Sequence, residues 1–198
     1  MALPTDLIAA RAELLADLTA RAFERREVTL ASGKKSDFYI DCKQVTLDGR
    51  GHVLIGRLFY EAVTLYEKRV GVKLDGVGGL TMGADPLASA VTMTASLLGR
   101  HLPAFLVRKE PKGHGTQAYL EGVKNLPAGG RLAVLEDVVT TGGSAAKAID
   151  RAREAGFVVP LVLGLVDRRE GGREALEAMG VELITLFDRR DFLPDALA

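Results

Sequence analysis

A single cysteine, Cys42, stands in the chain, and one thiol excludes both an internal disulfide and a cysteine-cluster metal site. Cys42 itself reads as a small, half-buried side chain and not as a nucleophile. Histidine is nearly as scarce. The last of three is His114, so Gly142-Gly143-Ser144-Ala145-Ala146, which approaches a hydrolase nucleophile elbow, lacks both the closing glycine and a later histidine. Net charge is missing as well: 26 Lys plus Arg stand against 26 Asp plus Glu, which leaves no basic excess to suggest a nucleic-acid partner. No apolar run approaches the length of about 18 residues that a membrane helix needs. The opening Met1-Ala2-Leu3-Pro4-Thr5-Asp6 does not read as a signal peptide, so a cytoplasmic protein without a membrane partner is expected. No repeat or low-complexity linker divides the 198 residues. That length predicts one domain, residues 1–198, with room for a substantial core.

What is present is concentrated in Leu132-Ala133-Val134-Leu135-Glu136-Asp137-Val138-Val139-Thr140-Thr141-Gly142-Gly143-Ser144. The four apolar residues suit a strand buried on both faces of a parallel sheet. Two carboxylates end it, a short loop follows, and Ala145–Ile149 read as a helix. The first N–H groups of that helix have no intrahelical partner, and the helix dipole adds to their attraction for a phosphate. Gly142 and Gly143 permit close backbone approach, and Thr140, Thr141 and Ser144 add hydroxyl donors. Ionised Glu136 and Asp137 only accept hydrogen bonds, which suits sugar hydroxyls or a metal and not a phosphate. A polyol phosphate fits both halves of the stretch. Two adjacent acids at the end of a buried strand are costly without such a task. Rival phosphate motifs fail on single positions. A Walker loop needs glycine five residues before Gly33-Lys34, where Val28 stands, and Gly76–Thr81 ends in threonine where a dinucleotide fingerprint takes glycine or alanine.

Along the chain, residues 5–23 carry Leu7, Ile8, Leu14, Leu15, Leu18 and Ala22 at helical spacing. Val28–Leu30 and Phe38–Asp41 read as short strands around a turn containing Lys34 and Lys35. Residues 50–67 place Leu54, Ile55, Leu58, Phe59, Ala62, Val63 and Tyr66 on one helical face. Strands and helices then alternate: a strand ending at Gly76–Gly79, a helix from about Pro86 to Leu98, a strand at Ala104–Val107, the signature strand and its helix, a strand at Leu161–Val166, a short helix near 172–179 and a strand at Leu183–Phe187. This order predicts an α/β fold of three layers, α/β/α, with a mostly parallel sheet in residues 71–190 and a small hood in residues 1–70. Ligands of such sheets sit at carboxyl ends of strands, beside a topological switch point. Each polar cluster of the chain follows such an end.

One of those clusters is Arg108-Lys109-Glu110-Pro111-Lys112-Gly113-His114-Gly115-Thr116. It lacks an apolar anchor and reads as part of a lid, residues 108–122, free to move when the site is empty. Its cations suit the charge of a departing pyrophosphate.

Residues 132–144 resemble the phosphoribosyl pyrophosphate (PRPP) signature of the type I phosphoribosyltransferases. The lid pattern Arg-Lys-x-x-Lys-x-His resembles the catalytic loop of the orotate phosphoribosyltransferases within that family. Ser32-Gly33-Lys34-Lys35-Ser36 with Phe38-Tyr39 is similar to the hood segment that covers the base, Gly79–Ala84 to the pyrophosphate loop, and Asp167-Arg168 to the arginine that holds the orotate carboxylate. The resemblance implies phosphoribosyl transfer from PRPP to orotate, giving orotidine 5′-monophosphate and pyrophosphate. Its relatives on the same fold act on other bases or sense PRPP without turnover. Under it, Glu136 and Asp137 hold ribose hydroxyls and metal-bound water, and residues from Val138 and Val139 through Thr140, Thr141, Gly142, Gly143 and Ser144 bind the sugar phosphate. Arg108, Lys109, Lys112 and His114 close over pyrophosphate, with Lys109, His114 and Asp137 as the catalytic set. Lys35, Tyr39, Thr140 and Arg168 receive orotate. Mg²⁺ arrives on the substrate without a direct protein ligand, and the enzyme is a homodimer with the lid shared across its interface. The family pattern also carries an antiparallel strand after the lid, here near 116–122. The chain departs from the pattern at Ala31 and at Thr81-Met82, where relatives carry phosphate-contacting lysines.

Overall fold

A computed structural model of the chain describes residues 4–29, 35–111 and 119–193. Helix α1 (Leu7–Arg21) starts where the Asp6 carboxylate accepts the N–H groups of Ile8 and Ala9, both at 3.0 Å. It buries Ala10, Leu14 and Leu18, a stripe at four-residue spacing. Two antiparallel pairs of very short strands follow: β1 (Phe23–Glu24) with β4 (Tyr39–Ile40), and β2 (Val28–Thr29) with β3 (Lys35–Ser36). A single helical turn, α2 (Lys43–Thr46), then leads to α3 (Gly49–Val70). Asp48 caps α3 through the N–H groups of Arg50 and Gly51, and Gly71, with φ 73°, ends it in the left-handed conformation.

The main sheet has six strands: β5 (Gly76–Leu80), β6 (Ala104–Val107), β7 (Leu120–Glu121), β8 (Arg131–Val139), β9 (Val158–Asp167) and β10 (Glu182–Asp188). Between them run α4 (Ala84–Leu97), α5 (Gly143–Glu154) and α6 (Gly172–Ala178), and α7 (Arg189–Phe192) closes the described chain. The order is β10-β9-β8-β5-β6-β7, parallel throughout except for β7, which pairs antiparallel with β6 as the family resemblance implies. From β5 the chain moves outward through β6 and β7. It then returns to lay β8 on the other side of β5. The order therefore reverses between β5 and β8, and the loops at their carboxyl ends diverge there.

Alternate residues of β8 feed two cores. Ala133 and Leu135 pack on the side of α1, α3 and α4, and Leu132 and Val134 on the side of α5 and α6. The three-layer reading is thus observed. Both long strands exceed their predicted spans. β8 continues through both acids to Val139, pairing Val138 with Val166 and Val139 with Asp167. β9 begins at Val158, and the register between Arg131 and Ala133 shifts to absorb Pro160, which has no N–H for the ladder.

Side chains cap two carbonyls of β10, the last strand of the sheet on this side. Arg11 donates from Nε and Nη2 to the Leu186 carbonyl at 3.2 and 2.9 Å, and Arg173 donates to the Leu183 carbonyl at 2.8 Å. The hood is tied to this end by aromatics: Phe38 lies 5.0 Å from Phe23 and 5.7 Å from Phe192 between ring centroids. Among the described residues no helix is long and apolar enough to cross a membrane.

Candidate active site

The switch point gathers the first group of predicted residues. Asp137 lies on the β8 face shared with Ala133 and Leu135, and it is nearly buried. Its Oδ1 accepts the Val138 N–H at 3.0 Å. From the other side of the switch point comes the Gly79–Ala84 loop, which has a cis peptide between Thr81 and Met82. A side chain at Gly83 would place its Cβ 2.5 Å from Asp137 Oδ1, so only glycine lets this loop approach the carboxylate.

The hood contributes three residues to the same point that sequence reasoning did not assign. Asp41, Cys42 and Lys43 arrive on the turn into α2. The Cys42 thiol, fully buried, donates to the Asp137 carbonyl at 3.7 Å. Burial pushes this thiol well up, so it is a packed donor and not a nucleophile. Lys43 Nζ lies 2.9 Å from Asp41 Oδ1 and 3.9 Å from Asp137 Oδ2. Its hydrogen bond to Asp41 holds the ammonium above its ordinary range, with the charge of Asp137 adding to the effect. An ammonium between two carboxylates, at a site already suspected from the acids, is the feature that a sequence reader lacks: α2 is four residues long and leaves no periodic signal.

Glu136 and Asp137 are not equivalent, although the sequence reading gave them one task. Burial, reinforced by the charge of Asp137 and a hydrogen bond between the two carboxyl groups, pushes the Glu136 carboxyl up to about 8. At neutral pH the substrate-free protein therefore keeps Glu136 largely protonated.

After Val139 comes the loop whose glycines mark it as a candidate phosphate cradle. Thr140 is half-buried, while Thr141, Gly143 and Ser144 are exposed. Gly142 has φ 79° and serves as the N-cap of α5 without a side-chain cap, so the first N–H groups of α5 point outward and open. A Cβ at Gly143 would meet nothing closer than Thr141 Oγ1 at 3.8 Å, which is the room a ligand needs. The loop is braced from behind by α6: a Cβ at Gly172 would lie 2.6 Å from the Thr140 carbonyl and 3.1 Å from the Gly142 nitrogen. That glycine pair, Gly171-Gly172, was visible in the sequence but had no partner until the fold was known.

Arg168 sits one residue beyond β9, with its N–H bonded to the Val139 carbonyl at 2.9 Å. The carboxylate receiver predicted from Asp167-Arg168 is thereby locked to the strand that carries the acids. Its guanidinium is 5.6 Å from the Phe38 ring centroid, and Arg189 lies at 5.5 Å from the same ring. Phe38 is thus the hood aromatic brought to Arg168. Tyr39, the residue named from the resemblance, has Arg26 stacked at 3.9 Å. Lys35 stands in β3, and its side chain is outside the described residues. At the base of the lid, Arg108 pairs with Glu121 at 3.3 Å and Lys109 is exposed. Lys112 and His114 lie outside the described residues.

These features have close counterparts. A protein of Sorangium cellulosum named orotate phosphoribosyltransferase is 48% identical over 185 residues, 93% of this chain and 94% of its own length. One of Thermosynechococcus vestitus with the same name is 50% identical over 181 residues, 91% of this chain and 92% of its own. The chain belongs to the orotate phosphoribosyltransferase family. No family model matches the chain. Among solved structures, Mycobacterium tuberculosis orotate phosphoribosyltransferase in complex with 5-phospho-alpha-D-ribosyl 1-diphosphate superposes with a TM-score of 0.74 at 36% identity, covering 92% of this chain and 98% of that one. Membership of this family makes the chain a transferase, and the switch-point cradle is its candidate active site.

Proposed function

We propose that the protein transfers the phosphoribosyl group of PRPP to orotate, forming orotidine 5′-monophosphate and pyrophosphate. The observation that carries this reading is the bond from the Arg168 N–H to the Val139 carbonyl. It supports the reading by tying Arg168, the proposed carboxylate receiver, to the strand that carries the two acids and leads into the proposed phosphate loop. The anomeric carbon loses its bond to a pyrophosphate oxygen and gains one to a ring nitrogen of orotate. The protein's part is orientation and charge stabilisation. Residues 140–144 hold the 5′-phosphate, Asp137 the ribose hydroxyls, and Arg168 with the hood aromatics the base. Arg108, Lys109, Lys112 and His114 stabilise the leaving pyrophosphate, with Lys109 or His114 as proton donor.

Mg²⁺ fits this donor set. Two neighbouring carboxylates, Glu136 and Asp137, suit the water of a hydrated ion carried by substrate phosphates. When bound, the ion would supply charge neutralisation on the pyrophosphate, and Asp137 and Glu136 would hold its water. Charged metabolites as substrates fit a cytoplasmic enzyme.

We further propose a homodimer in which the lid completes the neighbour's site. Support comes from the apolar surface around α4, where Met93, Leu97 and Leu98 are 42%, 65% and 46% exposed. Patches of this kind mark protein contacts, and this one adjoins β6, the strand that leads into the lid. The enzymatic reading is tested by mixing the protein with PRPP and, in turn, orotate, adenine, hypoxanthine and uracil. Nucleotide formation with orotate alone is expected. Turnover of another base in preference to orotate would reassign the substrate, and PRPP binding without turnover of any base would make the chain a sensor.

A further inference from the structure

The Arg168 guanidinium is already engaged in the substrate-free protein. Its Nη2 lies 2.9 Å from Glu170 Oε1, and the two side chains are 10% and 18% exposed. An arginine cannot discharge by losing its proton, and a cation this deeply buried is strongly destabilising without an anion beside it. Glu170 is that anion when the site is empty. It stands in the four-residue turn, 168–171, between β9 and α6, where Arg169 takes φ 59° and Gly171 φ 91°, and not within either element. Its carboxylate is therefore held by the ion pair and by a turn, and solvent lies next to it.

Resting on the reading of Arg168 as the receiver of orotate, we infer that Glu170 is an internal stand-in for the substrate carboxylate. It occupies the guanidinium fork in the empty site and gives it up when orotate binds. The two groups have the same chemistry and charge, so the buried cation stays paired throughout the cycle. Orotate must then compete for its own receiver. The product nucleotide retains the carboxylate and meets the same competitor, which favours its departure. Uracil has no carboxylate and leaves the internal pair in place.

The test uses full-length Glu170→Gln and Glu170→Ala beside Arg168→Ala, with dissociation constants for orotate, orotidine 5′-monophosphate and PRPP. If the pair is closed in about nine molecules of ten, removing the competitor tightens both carboxylate ligands about ten-fold, because apparent affinity scales with the competent fraction. PRPP binding should stay level. Melting curves give the second readout: Glu170→Ala should melt below wild type when empty and recover more than wild type when saturated with orotate. Wild-type or weaker orotate binding in both Glu170 variants, with Arg168→Ala still defective for orotate, overturns the stand-in and makes Glu170 a fixed brace. Wild-type orotate binding by Arg168→Ala removes the receiver itself, and the inference with it.

Discussion

Asp137 is held between two neighbours, Gly83 on one side and Lys43 on the other, and each has a separable consequence. Lys43 is 45% exposed at its side chain, so its ion pair with Asp137 is partly screened. Such a pair is worth up to about 1 kcal/mol, which is roughly five-fold in an equilibrium. Lys43→Met should therefore raise the KM for PRPP about three- to five-fold, with the orotate KM level and Lys43→Arg near wild type. Equal shifts for both substrates would show that Lys43 supports the hood alone. Glu136 gives a pH signature. Its carboxyl titrates near 8 in the folded protein against 4.5 ordinarily. Above the lower value the unfolded chain has released a proton that the folded one retains, so stability falls as pH rises. The contribution is fully present below 4.5 and is lost as pH rises through about 8. Substrate-free protein should melt lower at pH 9 than at pH 6, and Glu136→Gln should flatten that difference. An unchanged slope in the Gln variant would place the titrating group elsewhere.

Among the elements, α6 braces the candidate phosphate loop from behind. Gly172→Ala would drive a methyl into the Thr140 carbonyl and the Val139 side chain, each 2.6 Å from its Cβ position. Displacing that loop should raise the KM for PRPP by about ten-fold or more, an effect of about 1.4 kcal/mol, while Gly171→Ala, which meets no atom within 4 Å but has positive φ, should mainly cost stability. Similar PRPP kinetics for Gly172→Ala and wild type would mean that the brace yields freely. The elements differ in how well the sequence announces them. α1 and α3 carry long apolar stripes and Asp caps, and their spans were legible to within a few residues. β1, α2 and α7 span two to four residues, too few for any period to register, and they are the parts that deliver Phe23, Lys43 and Phe192. The strand limits were misread wherever polar chemistry sits inside a strand: the two acids shorten the apparent β8, and Pro160 shortens the apparent β9. The signature loop and Arg168 could be singled out from residue types in a row and from family resemblance, and the fold brings Arg168 to the strand that leads into the loop. Lys43, Gly172 and Glu170 could not, because each acquires its partner only through the fold.

For the whole molecule, the shared lid is tested by mixing two inactive variants, Lys109→Ala and Asp137→Asn, under conditions where subunits exchange. If the lid works on the neighbouring site, each mixed dimer has one site with both parts intact and one with neither. Random exchange makes about half the dimers mixed, so about a quarter of wild-type activity should return. Exchange confirmed by mass, with no activity regained, would return the lid to its own subunit. The sheet edges bear on a different kind of association. An exposed strand edge invites another chain to pair with it. At one edge β7 is only two residues long and carries Glu121. At the other, Arg11 and Arg173 already occupy the Leu186 and Leu183 carbonyls. Arg11→Ala should leave catalysis intact and lower the concentration at which the protein clouds on warming, as light scattering would show. On this view the two arginines set how densely the protein can be packed into solution before sheets begin to join.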